Sequence, residues 1–359
     1  MTKRLTSNHL NLLCLLLLAA GGLWGVGRAR QTMAQFTQTP PDFDEAVHLL
    51  PVRQLAYDLQ QGDLGAFLRH TLNQDQLAAY PFFHSWLMVP AWLLAPGITT
   101  ARTMSAVYLA LAALVAFGLG RDLARNGRSP WLAGLVAGAL TLLALPLWAY
   151  AALAYLEGAG LLVTLLALWV YGRSHPPQAP HTHRYAALTS LAVAAALLTK
   201  YNFGLFLAGG IILNELITLW LADRAGRLGE WRRRWLWLGG PAALVALLWF
   251  AWPGHWARFV AFSGAQQGAL TIGEPASWLF YPRSLLTQYS AGWPVALLLV
   301  AGLLYGLWRW RDFRGAVAAG LFVRELAAAG NSATEGDALF VHGGAGRFCA
   351  GGRLGSSGR

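Results

Sequence analysis

The chain has little charge. Asp, Glu, Lys and Arg make up only 12% of its 359 residues, about half the share found in a soluble domain. It has almost no lysine: of 27 basic residues only Lys3 and Lys200 are lysines, and the rest are arginines. Its two cysteines, Cys14 in an apolar run and Cys349 near the end, imply no disulfide framework. No Cys or His spacing of metal-site type occurs, and no internal repeat is visible.

What the chain does have is apolar length. It is 56% hydrophobic, with 17 Trp and 16 Phe set in long Leu/Ala runs. A helix crossing a bilayer needs about 20 mostly apolar residues, and its backbone must satisfy itself. The composition therefore implies an all-α integral membrane protein. The net charge of +11 might point to nucleic acid, but the basic residues stand in short clusters between apolar runs, with no nucleic-acid module. They read as topology signals.

Residues 1–27 fit either a signal peptide or a first spanning helix. The long apolar stretch, followed by Arg28 and Arg30 without a small-residue cleavage site, favours an uncleaved helix. Further apolar runs lie at roughly 103–120, 131–151, 157–172, 186–200, 203–221, 235–252 and 288–308. With the first run this predicts about eight transmembrane helices. The connections RDLARNGR (121–128), YGRSHPPQAPHTHR (171–184), ADRAGRLGEWRRR (222–234) and RWRDFR (309–314) are Arg-rich. The positive-inside bias puts them, and the N-terminus with Lys3 and Arg4, in the cytoplasm. The protein is then a multi-pass component of the plasma membrane.

Parity leaves 28–101 as a long extracytoplasmic first loop with no full span. Its segment 82–97 is short and interrupted by Pro90 and Pro96, so it reads as an interfacial helix. Val52, Leu55, Ala56 and Leu59 form one apolar stripe at helical spacing. A second outer loop, 253–287, carries Arg258, Glu274 and Arg283. Residues 1–314 form the membrane domain, and 315–359 form a Gly-, Ala- and Arg-rich tail without a span. Two readings of that tail stand: a disordered cytoplasmic segment, or a frameshift or truncation near Phe313–Gly315 that replaces the native end.

The Arg-loop topology brings Asp42, Asp44, Glu45, His84, Arg102, Glu157 and Lys200 to one outer face. Charges at a membrane edge are costly and tend to mark function. A carboxylate can take a proton from an acceptor hydroxyl, and Arg and Lys can hold a phosphate leaving group. Plainer roles remain open for each. Asp44 and Glu45 fit a helix cap or solvated loop. Arg102 and Lys200 fit snorkelling anchors. His84 fits aromatic packing, and Glu157 a structural acid. Glu215, nearer the inner end, is expected to pair or to face a helix contact.

Five segments together resemble a known family. They are DFDEAVHLL (42–50), YPFFHSWL (80–87), ARTMSAVYLALAALVAFGLGRDLA (101–124), AYLEGAGLLVTLLALW (154–169) and LAVAAALLTKYNFGLFL (191–207). In order and spacing, 42–221 resembles the polytopic glycosyltransferases of the protein O-mannosyltransferase and aminoarabinose-transferase type, the GT-C fold. The chain departs from the pattern in lacking a second Pro in YPFFH and in placing His48 where an aromatic is common.

The resemblance implies transfer of a sugar from a polyprenyl-phosphate donor to a glycan, lipid or protein acceptor. Asp44 matches the general base, Glu45 its companion acid and Glu157 the second acidic position. Arg102 and Lys200 match positions that contact the lipid-linked phosphate, with His84, Arg258 and Arg283 completing the substrate-binding set. No cofactor is demanded. A divalent metal, if used, would sit at Asp44, Glu45 or Glu157. The partners expected are the lipid donor, membrane lipids and the acceptor, with no nucleic acid. A transporter or lipid flippase, or an inactive truncated remnant of the transferase, are the rival readings.

Overall fold

Long Leu/Ala runs form helices because those residues combine high helix propensity with a backbone that satisfies itself away from water. The computed structural model describes residues 2–35, 43–74, 80–125, 129–174, 181–221 and 228–265, and within them all regular structure is helical. The first four helices are α1 (Thr2–Gln35), α2 (Phe43–Gln60), α3 (Leu64–Leu72) and α4 (Phe83–Leu94). Next come α5 (Ile98–Leu123), α6 (Pro130–Leu143), α7 (Leu145–Ala151) and α8 (Glu157–Arg173). The last are α9 (Thr182–Thr199), α10 (Tyr201–Leu221), α11 (Leu228–Ala251) and α12 (His255–Ala265).

Among the described residues, three helices are long and apolar enough to cross a membrane: His9–Thr32 in α1, Ile98–Leu123 and Trp231–Ala251 in α11. Their outer surfaces match that role. Leu12, Leu13, Leu16, Leu17, Leu23 and Trp24 of α1 are exposed, as are Leu236, Trp237, Leu244, Leu247 and Leu248 of α11. Contiguous apolar surface of this extent is stable against lipid and unfavourable in water. The apolar run at 288–308, Arg283, Glu274 and the tail 315–359 lie outside the described residues.

One expected element is corrected. The run 131–151 is not a continuous helix; it breaks at Ala144 into α6 and α7. Pro146 has no N–H to give the carbonyl four residues earlier. That carbonyl, Leu142 O, instead accepts from the Trp148 indole Nε1 at 2.7 Å. The 82–97 segment contains the 12-residue helix α4 with Pro90 inside it. At roughly 18 Å it is shorter than the ~30 Å hydrocarbon core. The stripe on α2 is buried as expected at Val52, Leu55 and Ala56, with Leu59 packed against the same cluster.

Helix α5 is central and packs against α1, α4, α6, α7 and α8, while α9 packs against α8, α10 and α11. Helices α10 and α11 both lean on α9, and an apolar cleft of ≈ 460 Å³ lies along them.

Polar side chains gather at the two ends of this bundle. Arg102 and Asp122 lie near opposite ends of α5, roughly 30 Å apart along its axis. At the far end Asp122 accepts from Trp169 Nε1 at 2.8 Å and from Arg173 Nε at 3.0 Å. Glu215 pairs there with Arg234 and accepts from Tyr171 OH at 2.6 Å and Trp235 Nε1 at 2.7 Å. Pairing of Glu215 is what its isolation in an apolar helix demanded.

Candidate functional site

The near end is built first from α2. Glu45, His48, Val52 and Leu55 fall at i, i+3, i+7 and i+10, so they share the stripe that faces the core. All four are buried. Asp44 lies in the first turn of the same helix, and its side chain lies outside the described part.

A fully buried carboxylate needs a partner. Glu45 finds it in Arg102, one turn into α5: Nε donates to Oε1 at 2.7 Å and Nη2 to Oε2 at 2.6 Å. This is the planar two-bond match of guanidinium to carboxylate. Both side chains are buried, at 0% and 4% exposure.

The second pair lies one helical turn away. Ser105, three residues after Arg102, donates from Oγ to Tyr155 O at 3.4 Å. A side chain at Gly158 would meet Ser105 O at 2.8 Å, so only glycine lets α8 begin this close to α5. Glu157, the first residue of α8, is thereby set beside the α5 site, and Lys200 Nζ donates to its Oε1 at 2.9 Å. Lys200 occupies the corner between α9 and α10. That corner is tight because Gly204 packs on the Leu197 backbone, where a Cβ would approach Cα within 2.3 Å.

Two histidines and two tyrosines join the pairs. The His48 ring lies 6.2 Å from that of His84, 5.1 Å from Tyr80 and 6.5 Å from Tyr155. Lys200 Nζ sits 5.6 Å from the Tyr80 ring centre, a cation–π distance. His84, on α4, is buried, and neither ring nitrogen has a hydrogen-bond partner among the described residues. Burial pushes His84 down to about 4, against a smaller upward pull from Glu157. Burial also holds His48 well below the usual histidine range, helped by the nearby His84 and by the Lys200 ammonium. Both rings are therefore neutral at pH 7.

Five of the residues expected from the sequence thus come together: Glu45, His84, Arg102, Glu157 and Lys200. They arrive as two carboxylate–cation pairs around a neutral imidazole, drawn from α2, α4, α5, α8 and the α9–α10 corner. Arg258 lies on α12 with its guanidinium over Gly254. His48, Tyr80 and Tyr155 were not expected as site residues. For His48 the signal was present, since it stands on the apolar stripe one turn after Glu45, where a polar residue must be buried. Among the described residues no three His, Cys, Asp or Glu side chains converge as metal ligands. No family model matches the chain, and neither the curated proteins nor the solved structures yield a match.

Chemically, the near end combines a paired acid, two cations placed by their carboxylates and neutral donor–acceptor rings. Tyr80, Tyr155 and Lys200 are half-buried. Such a set of groups offers hydrogen-bond donors, acceptors and paired charges to a polar ligand.

Proposed function

We propose that this chain is a polytopic membrane glycosyltransferase of the GT-C type. It would cross the plasma membrane about eight times with a cytoplasmic N-terminus, and its first loop would lie along the outer surface. It would move a sugar from a polyprenyl-phosphate donor to a glycan, lipid or protein acceptor. The observation that carries this reading is the meeting of Glu45–Arg102 and Glu157–Lys200, from distant parts of the chain, at one end of an apolar helix bundle. Charges this costly to bury near lipid mark a site by default.

In this mechanism the Asp44 carboxylate takes the proton of the acceptor hydroxyl. The acceptor oxygen attacks the anomeric carbon as the bond to the phosphate oxygen breaks, with inversion. The leaving polyprenyl phosphate keeps the electron pair, and Arg102 and Lys200 stabilise its charge. Glu45 and Glu157 hold those two cations in position, so the phosphate competes with Glu157 for the Lys200 ammonium. A divalent cation, if one is used, would draw on Asp44, Glu45 or Glu157.

The cleft along α10 and α11 supports the lipid part. It runs from Leu197 and Gly204, one turn from Lys200, to Glu215 and Trp235 at the far end. A polyprenyl tail could lie there while its phosphate reaches the Lys200 corner. A flippase would also use a lipid-facing cleft, so transfer must be measured directly. Purified chain is incubated with radiolabelled polyprenyl-phosphate sugar and a mixed acceptor extract. Label should move in wild type and be lost in Asp44→Asn; movement unchanged in that variant rejects the proposed base. Carrier redistribution across vesicles without any transfer would favour the flippase.

A further inference from the structure

The cleft along α10 and α11 has apolar lips that face outward. Leu205, Ile212 and Leu216 of α10 line it and are exposed, as are Gly239 and Ala243 of α11. A Cβ at Gly239 would meet nothing within 4 Å, so the space beside it is open. Beyond the lips the surface stays apolar, through Leu213 of α10 and Leu244 and Leu247 of α11. Water is a poor filler for such a groove, and a hydrocarbon chain is a good one.

The two ends of the cleft differ in charge, and that sets which way a lipid lies. Past the Leu197 end, Lys200 already donates to Glu157 Oε1 at 2.9 Å. At the other end Glu215 lines the cleft, and its oxygens take hydrogen bonds from Tyr171, Arg234 and Trp235. The α11 lining residues Trp235, Gly239, Ala243 and Ala246 recur at helical spacing. Three residues before Trp235 the same stripe reaches Arg232. Arg232 and Arg233 are exposed, and among the described residues no acid pairs with either. Over 215–234 the chain carries five arginines against three acids. Two of those acids, Asp223 and Glu230, have side chains outside the described part. This end is therefore net positive.

Length narrows the occupant. From Trp235 to Ala246 the stripe rises about 16 Å, roughly one leaflet of a ~30 Å hydrocarbon core.

We infer that the cleft binds one acyl chain of an anionic phospholipid, whose phosphate rests on Arg232 at the Trp235 end. A guanidinium meets phosphate oxygens through paired N–H donors. Arg233 beside it favours a headgroup of net negative charge over a zwitterionic one, whose own cation would face the arginines. The lipid belongs to the leaflet on the Arg-rich side. This inference does not rest on the transferase reading. A carrier tail in the same cleft and this acyl chain exclude each other, so the phospholipid is the resident that such a tail would displace.

The test is photo-crosslinking of the full chain in phosphatidylcholine nanodiscs. They are doped with equal small amounts of phosphatidylglycerol or phosphatidylcholine carrying a diazirine on the same acyl chain, and labelled peptides are located by mass spectrometry. Phosphatidylglycerol should label 205–216 and 239–246 about fivefold or more above phosphatidylcholine. Both should label the exposed face of α1, at Leu12, Leu16 and Leu23, alike. Arg232→Gln with Arg233→Gln should erase the preference. Gly239→Leu, which projects into open space, should lower cleft labelling by both lipids and leave α1 unchanged. Equal labelling by the two headgroups in wild type, or a preference that survives the double arginine variant, would overturn the inference. A cleft that both lipids label less than α1 would overturn it too, because another helix, from a second copy or from the apolar run 288–308, then fills the groove. The wild-type comparison needs no variant, and none of these outcomes bears on sugar transfer.

Discussion

Arg102 grips Glu45 through two parallel hydrogen bonds, of 2.7 and 2.6 Å, across 57 residues of chain. The pair clamps α2 onto α5, the central helix. Removing one partner leaves an uncompensated buried charge, which typically costs about 3–5 kcal/mol. Arg102→Met should therefore lower the unfolding midpoint sharply. The double variant Arg102→Met, Glu45→Leu removes both charges and should recover much of that loss while remaining inactive. Urea unfolding in detergent measures the first effect, and transfer assays the second. A double variant as unstable as the single one would show that the pair is more than a clamp.

Lys200 and Glu157 carry a different expectation, because Lys200 is half-buried and not sealed in like Arg102. Reversing them, as Glu157→Lys with Lys200→Glu, keeps an ion pair and should keep stability near that of wild type. It moves the cation from the α9–α10 corner to the start of α8. If Lys200 holds the leaving phosphate, kcat/KM should fall by about 100-fold or more. A purely structural pair would survive the reversal with activity intact.

Acid stability follows from His84. Unfolded, this ring titrates near the ordinary value of 6.5; folded, burial holds it to about 4. Between those values the unfolded chain carries the extra proton, so the folded state loses stability as pH falls from about 6.5 to 4. The gap corresponds to about 3 kcal/mol. His84→Phe should flatten this part of the stability profile. Chemical unfolding at pH 7, 5.5 and 4 makes the comparison, and parallel profiles for variant and wild type would contradict the burial argument.

Much of this was legible in the sequence, for a physical reason. Hydrophobic length and Arg-rich connections are strong one-dimensional signals, so the helices at 103–120, 157–172, 186–200, 203–221 and 235–252 were placed from them. The break at Ala144 was missed because Pro146 sits inside an unbroken apolar run, and hydropathy does not sense a missing N–H. The gathering of Glu45, Arg102, Glu157 and Lys200 was legible as a shared face, since alternating loops settle which ends coincide. Their pairing was not. Which carboxylate meets which cation depends on helix rotation and on contacts such as Gly158 against Ser105, which no charge pattern encodes.

Gly158 tests that dependence directly. A Cβ at this position would meet Ser105 O at 2.8 Å, and a backbone oxygen in α5 has little room to yield. Gly158→Val should push the start of α8 away from α5 and carry Glu157 with it. Overpacking of this kind typically costs about 1–3 kcal/mol. The expected signature is a modest loss of stability with a much larger loss of transfer, because the neighbouring acid is displaced along with its Lys200 partner. Gly209, which meets nothing within 4 Å, is the control, and Gly209→Val should leave both properties near wild type.

Helix α3 has a tether of its own at the end of α11, and its chemistry makes the last prediction. His255 Nδ1 lies 2.8 Å from Trp249 O, and its Nε2 lies 2.7 Å from Leu72 O. A carbonyl only accepts, so each bond needs a hydrogen on the ring nitrogen that faces it. Leu72 ends α3, where helix carbonyls lack intrahelical donors, whereas Trp249 O, in the last turn of α11, also accepts from Trp252 N at 3.2 Å. His255→Phe fills the space and leaves the Leu72 carbonyl unmet, at a cost of about 1–3 kcal/mol when it stays buried. The loss should be local. Amide exchange should rise in 64–74, where α3 is tied, and stay unchanged in α5 and α8. Uniform exchange across the bundle would mean that His255 supports the whole fold instead of fastening α3 to the end of α11.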